Sequence, residues 1–318
     1  MRRYSICSAF LLFVLTWWTN TAKPQERPAA SFAPLEQWRL AVVDGNAATL
    51  TQLYASSPPP HIKGADGKDA SLQEEVNFWA GWKARGLSDV RVEIAQEQIP
   101  QPNAHVVVMQ VTISVKGGGT AKKYYVGMAQ GWVQQADAWR IAYVQRQAAA
   151  RLRQPLEQKD LYPASADAKA EIAEAVHRAT VARKRVLVVF GGNWCYDCHV
   201  LDEAFHSPDI SPTMEKSFEL VHVDIGQMDK NLEVAKQYDV PLDRGVPAIA
   251  VLESDGKLLF SQKRGEFEAA RSMAPEDILD FLNKWKPVTT KKKSRTNRVA
   301  AHAVLQMGAL LHREFTGV

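Results

Sequence analysis

Apolar and polar positions run in two rhythms along the chain, and the change of rhythm divides it. From Pro34, apolar residues recur at helical spacing through Leu35, Trp38, Leu40, Val42 and Val43, then at Leu50, Leu53 and Tyr54. A period near 3.6 predicts amphipathic helix. Asp44-Gly45-Asn46 interrupts this pattern and Ser57-Pro58-Pro59-Pro60 stops it. Ser71 with Glu74 is a capping-box signature ahead of another helix carrying Val76, Phe78, Trp79 and Trp82. After Gly86 the period becomes two: Val90, Val92 and Ile94 alternate with Arg91 and Glu93. Apolar runs at 106–115, 124–132 and 139–144 follow, the first two separated by Gly117-Gly118-Gly119, and their spacing predicts an antiparallel meander. Helices first and a curled sheet afterwards predict an α+β unit over residues 33–147.

Residues 145–165 are polar and read as a domain boundary. A helix is predicted over 166–184, then a buried strand from the apolar run 186–190. The pair Gly191-Gly192 ends that strand, Cys195 and Cys198 follow, and Val200, Leu201 and Phe205 share one face of a helix beyond them. Short helices at 210–218 and 231–238 flank a strand at 219–224. A buried strand at 246–252 starts with a proline, and Asp255-Gly256 turns it into a return strand at 258–261. Pro275 opens a last helix, 276–285, which Pro287 ends.

Composition adds a few limits. At 318 residues, 46% apolar and 23% charged, the chain suits two globular domains. The net charge of +4 is concentrated near the C-terminus in Lys284, Lys286, Lys291, Lys292, Lys293, Arg295 and Arg298. That reads as a solvated tail, so no nucleic-acid partner is expected. Arg2 and Arg3 ahead of an apolar run from 6 to 18 have the form of a secretory signal, residues 1–22, or of an uncleaved anchor. The bulk of the protein is therefore expected outside the cytoplasm, in the periplasm or an equivalent compartment. The tail, 287–318, is basic, then apolar over 299–311, which is too short to span a bilayer. It is expected to be disordered, with peripheral membrane contact through it or the N-terminus as the alternative. His61 and His105 are isolated in the sequence and are expected at a loop and at a strand start, each as a surface or satisfied histidine rather than a catalyst. Tryptophans and tyrosines of the first unit are expected in its core.

Three cysteines exclude a disulfide framework: Cys7 lies in the leader, leaving Cys195 and Cys198 for redox chemistry or a metal. Zinc would need a second such pair or a histidine pair. The two cysteines sit where a strand hands over to a helix, among unpaired backbone N–H groups and the positive end of the helix dipole. That environment can lower a thiol pKa from about 8.5 to between about 3.5 and 7.5. Cys195 is the expected attacking sulfur, and Cys198, one turn on, the resolving one.

The strand, the Trp194-Cys195-x-x-Cys198 run and Gly245-Val246-Pro247 some fifty residues later make residues 165–286 resemble the thioredoxin family. The resemblance implies an α/β thioredoxin fold, a central mixed sheet flanked by helices. It also implies a redox-active disulfide between Cys195 and Cys198, and thiol–disulfide oxidoreductase activity with no cofactor and no metal. It implies a cis Pro247 facing the pair, and Val246 offering its backbone to a substrate strand. Trp194, Tyr196, Asp197 and His199 are the further residues expected to shape the site. The implied partners are protein thiols and disulfides, and a redox partner that recycles the dithiol. Two positions depart from the family. Val189 stands where thioredoxins have a buried Asp six residues before the first Cys, so the proton acceptor for Cys198 is expected to be water, His199 or Asp197. The dipeptide between the cysteines is Tyr196-Asp197, with Asp197 opposing a thiolate and a protonated His199, expected on the helix surface, favouring one. The segments Asp202 to Phe205, Ser207-Pro208-Asp209-Ile210 and Val223-Asp224 resemble the branch that includes secreted and periplasmic oxidoreductases.

The order of elements in 33–147 resembles NTF2-like, or SnoaL-like, cone domains, by pattern alone. That implies a unit able to dimerise, bind a client or position the site. Two alternatives remain beside the oxidoreductase: a soft-metal (copper) carrier using the two cysteines, and a scaffold or ligand-binding protein acting through the first unit.

Overall fold

The computed structural model describes residues 32–117, 121–156 and 159–288, which form two sheets, each with its own helices. The expected leader, residues 289–318 of the expected tail, and Gly118 and Gly119 lie outside the described residues. No helix among the described residues is long and apolar enough to cross a membrane.

The first part runs α1 (Ala33–Asp44), α2 (Ala47–Gln52), β1 (His61–Lys63), α3 (Leu72–Ala84), β2 (Leu87–Gln101), β3 (Ala104–Val115), β4 (Lys122–Gln135) and β5 (Ala138–Arg146). Gly45 closes α1 in the left-handed conformation, φ 67°, and its N–H donates to the Ala41 and Val42 carbonyls. The Ser71–Glu74 capping box starts α3 with both reciprocal hydrogen bonds made. Strands β2 to β5 pair antiparallel in sequence order, so the meander has four strands rather than three. Residues Val107, Met109, Val111 and Ile113 of β3 are buried at period two in one core with Trp38, Val42 and Trp79. Full burial contributes about 1.5–3 kcal/mol for each such aliphatic side chain.

One histidine expectation fails here. His61 lies in β1, which pairs parallel with β5, and its ring stacks on Tyr143. A three-residue strand is too short to leave a readable period in sequence. His105 lies at the start of β3, as expected, and is a buried, satisfied histidine: its Nε2 is 2.7 Å from Glu97 Oε1, and its ring stacks on Phe32 at 4.0 Å.

The second part runs α4 (Ala168–Ala182), β6 (Arg185–Gly191), α5 (Tyr196–Phe205), α6 (Ser211–Ser217), β7 (Phe218–Asp224), α7 (Leu232–Gln237), β8 (Ala248–Leu252), β9 (Leu258–Ser261) and α8 (Pro275–Trp285). The sheet order is β7-β6-β8-β9, with β6 parallel to β7 and antiparallel to β8, and β9 antiparallel to β8. β6 is central and covered on both faces, which is why its sequence is continuously apolar rather than alternating. Val186, Val188 and Phe190 share a core cluster with α4 and both cysteines. Leu187 and Val189 face the other cluster, with Leu201, Phe205 and Leu282.

The polar segment after β5 is bonded to both parts. The Gln154 backbone N–H donates to Gln110 Oε1 of β3 at 2.9 Å, and Leu152 is buried in the second part's core. Arg153 bonds Glu93 of β2 and pairs with Glu203 of α5, while Arg151 pairs with Glu276 of α8. Its polar composition reflects these cross-links.

Candidate active site

The site is built where β6 stops. Gly191 and Gly192 are required for close approach. A β-carbon built on Gly191 would lie 2.6 Å from Tyr162 Oη and 2.7 Å from Cys198 Sγ. One on Gly192 would lie 2.6 Å from Trp194 Nε1. Any other residue would push these groups apart.

Cys195 is the N-cap of α5, and Cys195 and Cys198 are joined as a disulfide with Cα atoms 5.3 Å apart, an ordinary span. The Cys198 backbone N–H is shared between Cys195 Sγ and the Cys195 carbonyl oxygen, both at 3.1 Å, so the first sulfur already sits on a first-turn helix amide. Cys195 is 5% exposed and Cys198 1% exposed. The Val246–Pro247 peptide bond is cis, and the Val246 carbonyl oxygen lies 3.6 Å from Cys195 Sγ. Trp194 is 47% exposed beside the pair, its Nε1 donating to the Gly226 carbonyl at 2.6 Å.

Both side chains of the dipeptide between the cysteines are held by partners distant in sequence. Asp197 is buried and accepts from the Arg271 backbone N–H at 2.8 Å and from the Arg271 guanidinium. Its charge is matched, which removes most of the expected opposition to a thiolate. Arg271 also lies over the Tyr196 ring. The Tyr196 hydroxyl donates to Gln154 Oε1 at 2.9 Å, so the segment bonded to the first sheet also holds the active-site helix. His199 is buried, not on the helix surface, and its Nε2 is 2.9 Å from the Asn193 carbonyl oxygen, to which it donates. Neither Asp197 nor His199 is thus a free acceptor aimed at Cys198.

Sequence reasoning missed Asn193, Arg271, Gln154 and Tyr162. Asn193 Oδ1 accepts from the Leu161 and Tyr162 backbone N–H groups, both at 3.0 Å, and its Nδ2 donates to the Tyr162 carbonyl and to Asp160. It clamps residues 160–162 to the loop that leads into the pair. Its place in the Gly-Gly-Asn-Trp-Cys run was the one signal available; the others lie far away in sequence.

Behind the pair, the buried Asp202 carboxylate is 3.5 Å from both His222 Nε2 and His206 Nδ1. Burial holds the His222 pKa below its ordinary 6.5, with Asp202 opposing that shift and His206 and His199 adding to it. Below about 6.5 the unfolded chain takes up a proton at His222 that the folded chain resists. Stability from this group is therefore full above that pH and lost as pH falls. The melting temperature should fall between pH 7 and 5, and His222→Gln should make that fall shallower; equal slopes would contradict the assignment.

A family profile described as thioredoxin-like matches residues 167–254. No curated protein matches the chain. Among solved structures, a disulphide isomerase from Xylella fastidiosa Temecula1 is similar at 39% identity, over 39% of this chain and 94% of that one, with a TM-score of 0.37. An NTF2-like protein from Rhodospirillum rubrum is similar at 17% identity, over 36% of this chain and 95% of that one, TM-score 0.31. An NTF2-like superfamily protein from Salmonella enterica serovar Typhimurium is similar at 15% identity, over 37% and 87%, TM-score 0.30.

Proposed function

Residues 167–254 of the chain are thioredoxin-like, and from that premise we propose that the protein is an exported thiol–disulfide oxidoreductase acting on protein substrates. The observation that carries this reading is the Cys195–Cys198 disulfide on the first turn of α5, with the Val246 backbone against its outer sulfur.

In this reading an incoming thiolate attacks Cys195, the more exposed of the two cysteines, and Cys198 leaves as the buried thiolate. In the opposite direction reduced Cys195 attacks a substrate disulfide, and Cys198 then displaces the substrate. The amide that already points at Cys195 Sγ stabilises a thiolate there. An extended substrate would hydrogen-bond the Val246 backbone beside Pro247, and the exposed Trp194 indole offers apolar surface next to it. The thioredoxin-like profile over residues 167–254 supports protein thiols and disulfides as the substrate class. Export rests on Arg2, Arg3 and the apolar run that follows them. The first part, bonded to α5 through Gln154 and Tyr196, would position the site relative to its clients. The alternative, soft-metal (copper) carriage by Cys195 and Cys198, is tested by metal titration of the reduced protein.

The test is insulin reduction by the purified protein, together with titration of its dithiol against glutathione buffers. Catalysed precipitation of insulin and a single two-electron couple are expected. An inert protein with no titratable couple would leave the scaffold reading in its place.

A further inference from the structure

Opening the disulfide puts an anion on Cys198 Sγ, in a residue that is 1% exposed, and the position six before Cys195, where thioredoxins have a carboxylate, is Val189, which faces the opposite core cluster. A buried thiolate without a donor is costly. One buried polar group in the same cluster has nothing to do: Tyr162 is 1% exposed and its hydroxyl has no hydrogen-bond partner. Leaving a buried hydroxyl unpaired costs about 1–3 kcal/mol, so its persistence calls for a reason. The hydroxyl and Cys198 Sγ flank the same glycine, Gly191, and Asn193 of the cysteine-bearing loop grips the Tyr162 backbone on both sides of its peptide.

We propose that the Tyr162 hydroxyl donates a hydrogen bond to Cys198 Sγ when the disulfide opens, and so stabilises the leaving sulfur as a thiolate. The proposal rests on the disulfide-exchange reading above. A substrate thiolate forms a new S–S bond to Cys195 Sγ, the Cys195–Cys198 bond breaks, and its electron pair stays on Cys198 Sγ. The phenol keeps its proton throughout. Burial, with the Asp202 and Asp224 carboxylates nearby, pushes the Tyr162 pKa far up, which keeps it a donor. His222 lies edge-on to its ring at 5.1 Å and completes the titratable surroundings together with Asp202, His206 and His199. In the reverse step Cys198 attacks Cys195 Sγ, and the same hydrogen bond is given up.

The experiment uses the full chain. Thiolate absorbance is followed across pH as the difference between Cys195→Ser and Cys195→Ser/Cys198→Ser proteins, with and without Tyr162→Phe. The expected result is a Cys198 pKa raised by roughly one unit or more in the Phe variant, and disulfide opening by dithiothreitol slowed about tenfold in Tyr162→Phe protein with both cysteines present. The oxidised Tyr162→Phe protein should melt at the same temperature or higher, because the hydroxyl has no partner to lose. An unchanged Cys198 pKa overturns the proposal, and so does a lowered melting temperature of the oxidised variant, which would make the hydroxyl structural. If the Cys198 shift is present but wild-type protein fails to reduce insulin, the oxidoreductase reading falls and this contact stands.

Discussion

Cys195→Ser protein should lose insulin reduction by roughly a thousandfold or more, while Cys198→Ser protein accumulates as a mixed disulfide with its substrate. The two variants fail differently because the two sulfurs occupy different places. Cys195 caps α5, takes the Cys198 amide hydrogen, and lies 3.6 Å from the Val246 carbonyl oxygen at the mouth of the site. A serine hydroxyl there is not ionised at neutral pH and cannot form the covalent intermediate. Cys198 lies deeper, against Gly191, and can reach Cys195 but no external substrate. Without it the mixed disulfide forms and has no internal thiol to release it. Turnover of insulin and non-reducing gel shifts separate the two outcomes. Equal activity of wild-type and Cys195→Ser proteins would remove the site from the chemistry altogether.

Arg146→Met should destabilise the protein by about 3–5 kcal/mol, the cost of leaving a buried charge without its partner. Glu75 on α3 has no exposed surface, and its carboxylate accepts from Arg146 Nε at 2.7 Å and from Trp79 Nε1 at 2.6 Å. The Arg146 guanidinium also lies 3.7 Å from the centre of the Phe78 ring. Removing Arg146 strands the carboxylate in a core otherwise made of Trp38, Val42, Trp79 and Val111. Glu75→Gln/Arg146→Met should recover part of the loss, since a neutral amide needs no counter-charge. Urea unfolding of the three proteins measures this. A single-variant loss below about 1 kcal/mol would mean that Glu75 is satisfied without Arg146. The effect would reach the site only weakly, because the first part bears on α5 through the linking segment, by Gln154 to Tyr196 and by Arg153 to Glu203.

The sequence by itself determined the element order and the reactive pair. Period-two runs became β2 to β5, the Ser71–Glu74 capping box started α3, and the continuous apolar run before Cys195 became the central strand β6. These signals are local: each is written in residues within a few positions of one another, and burial of one face enforces it. Tertiary structure alone decided the environment of the pair. Asp197 meets Arg271, Tyr196 meets Gln154, and Tyr162 meets Cys198 across Gly191, all at separations where no periodicity connects the partners. A carboxylate or a phenol has no fixed meaning until its neighbour is known, since pairing, burial and hydrogen bonding set whether its charge acts at all. The short strand β1 was illegible for the opposite reason: it is local, but three residues carry no period.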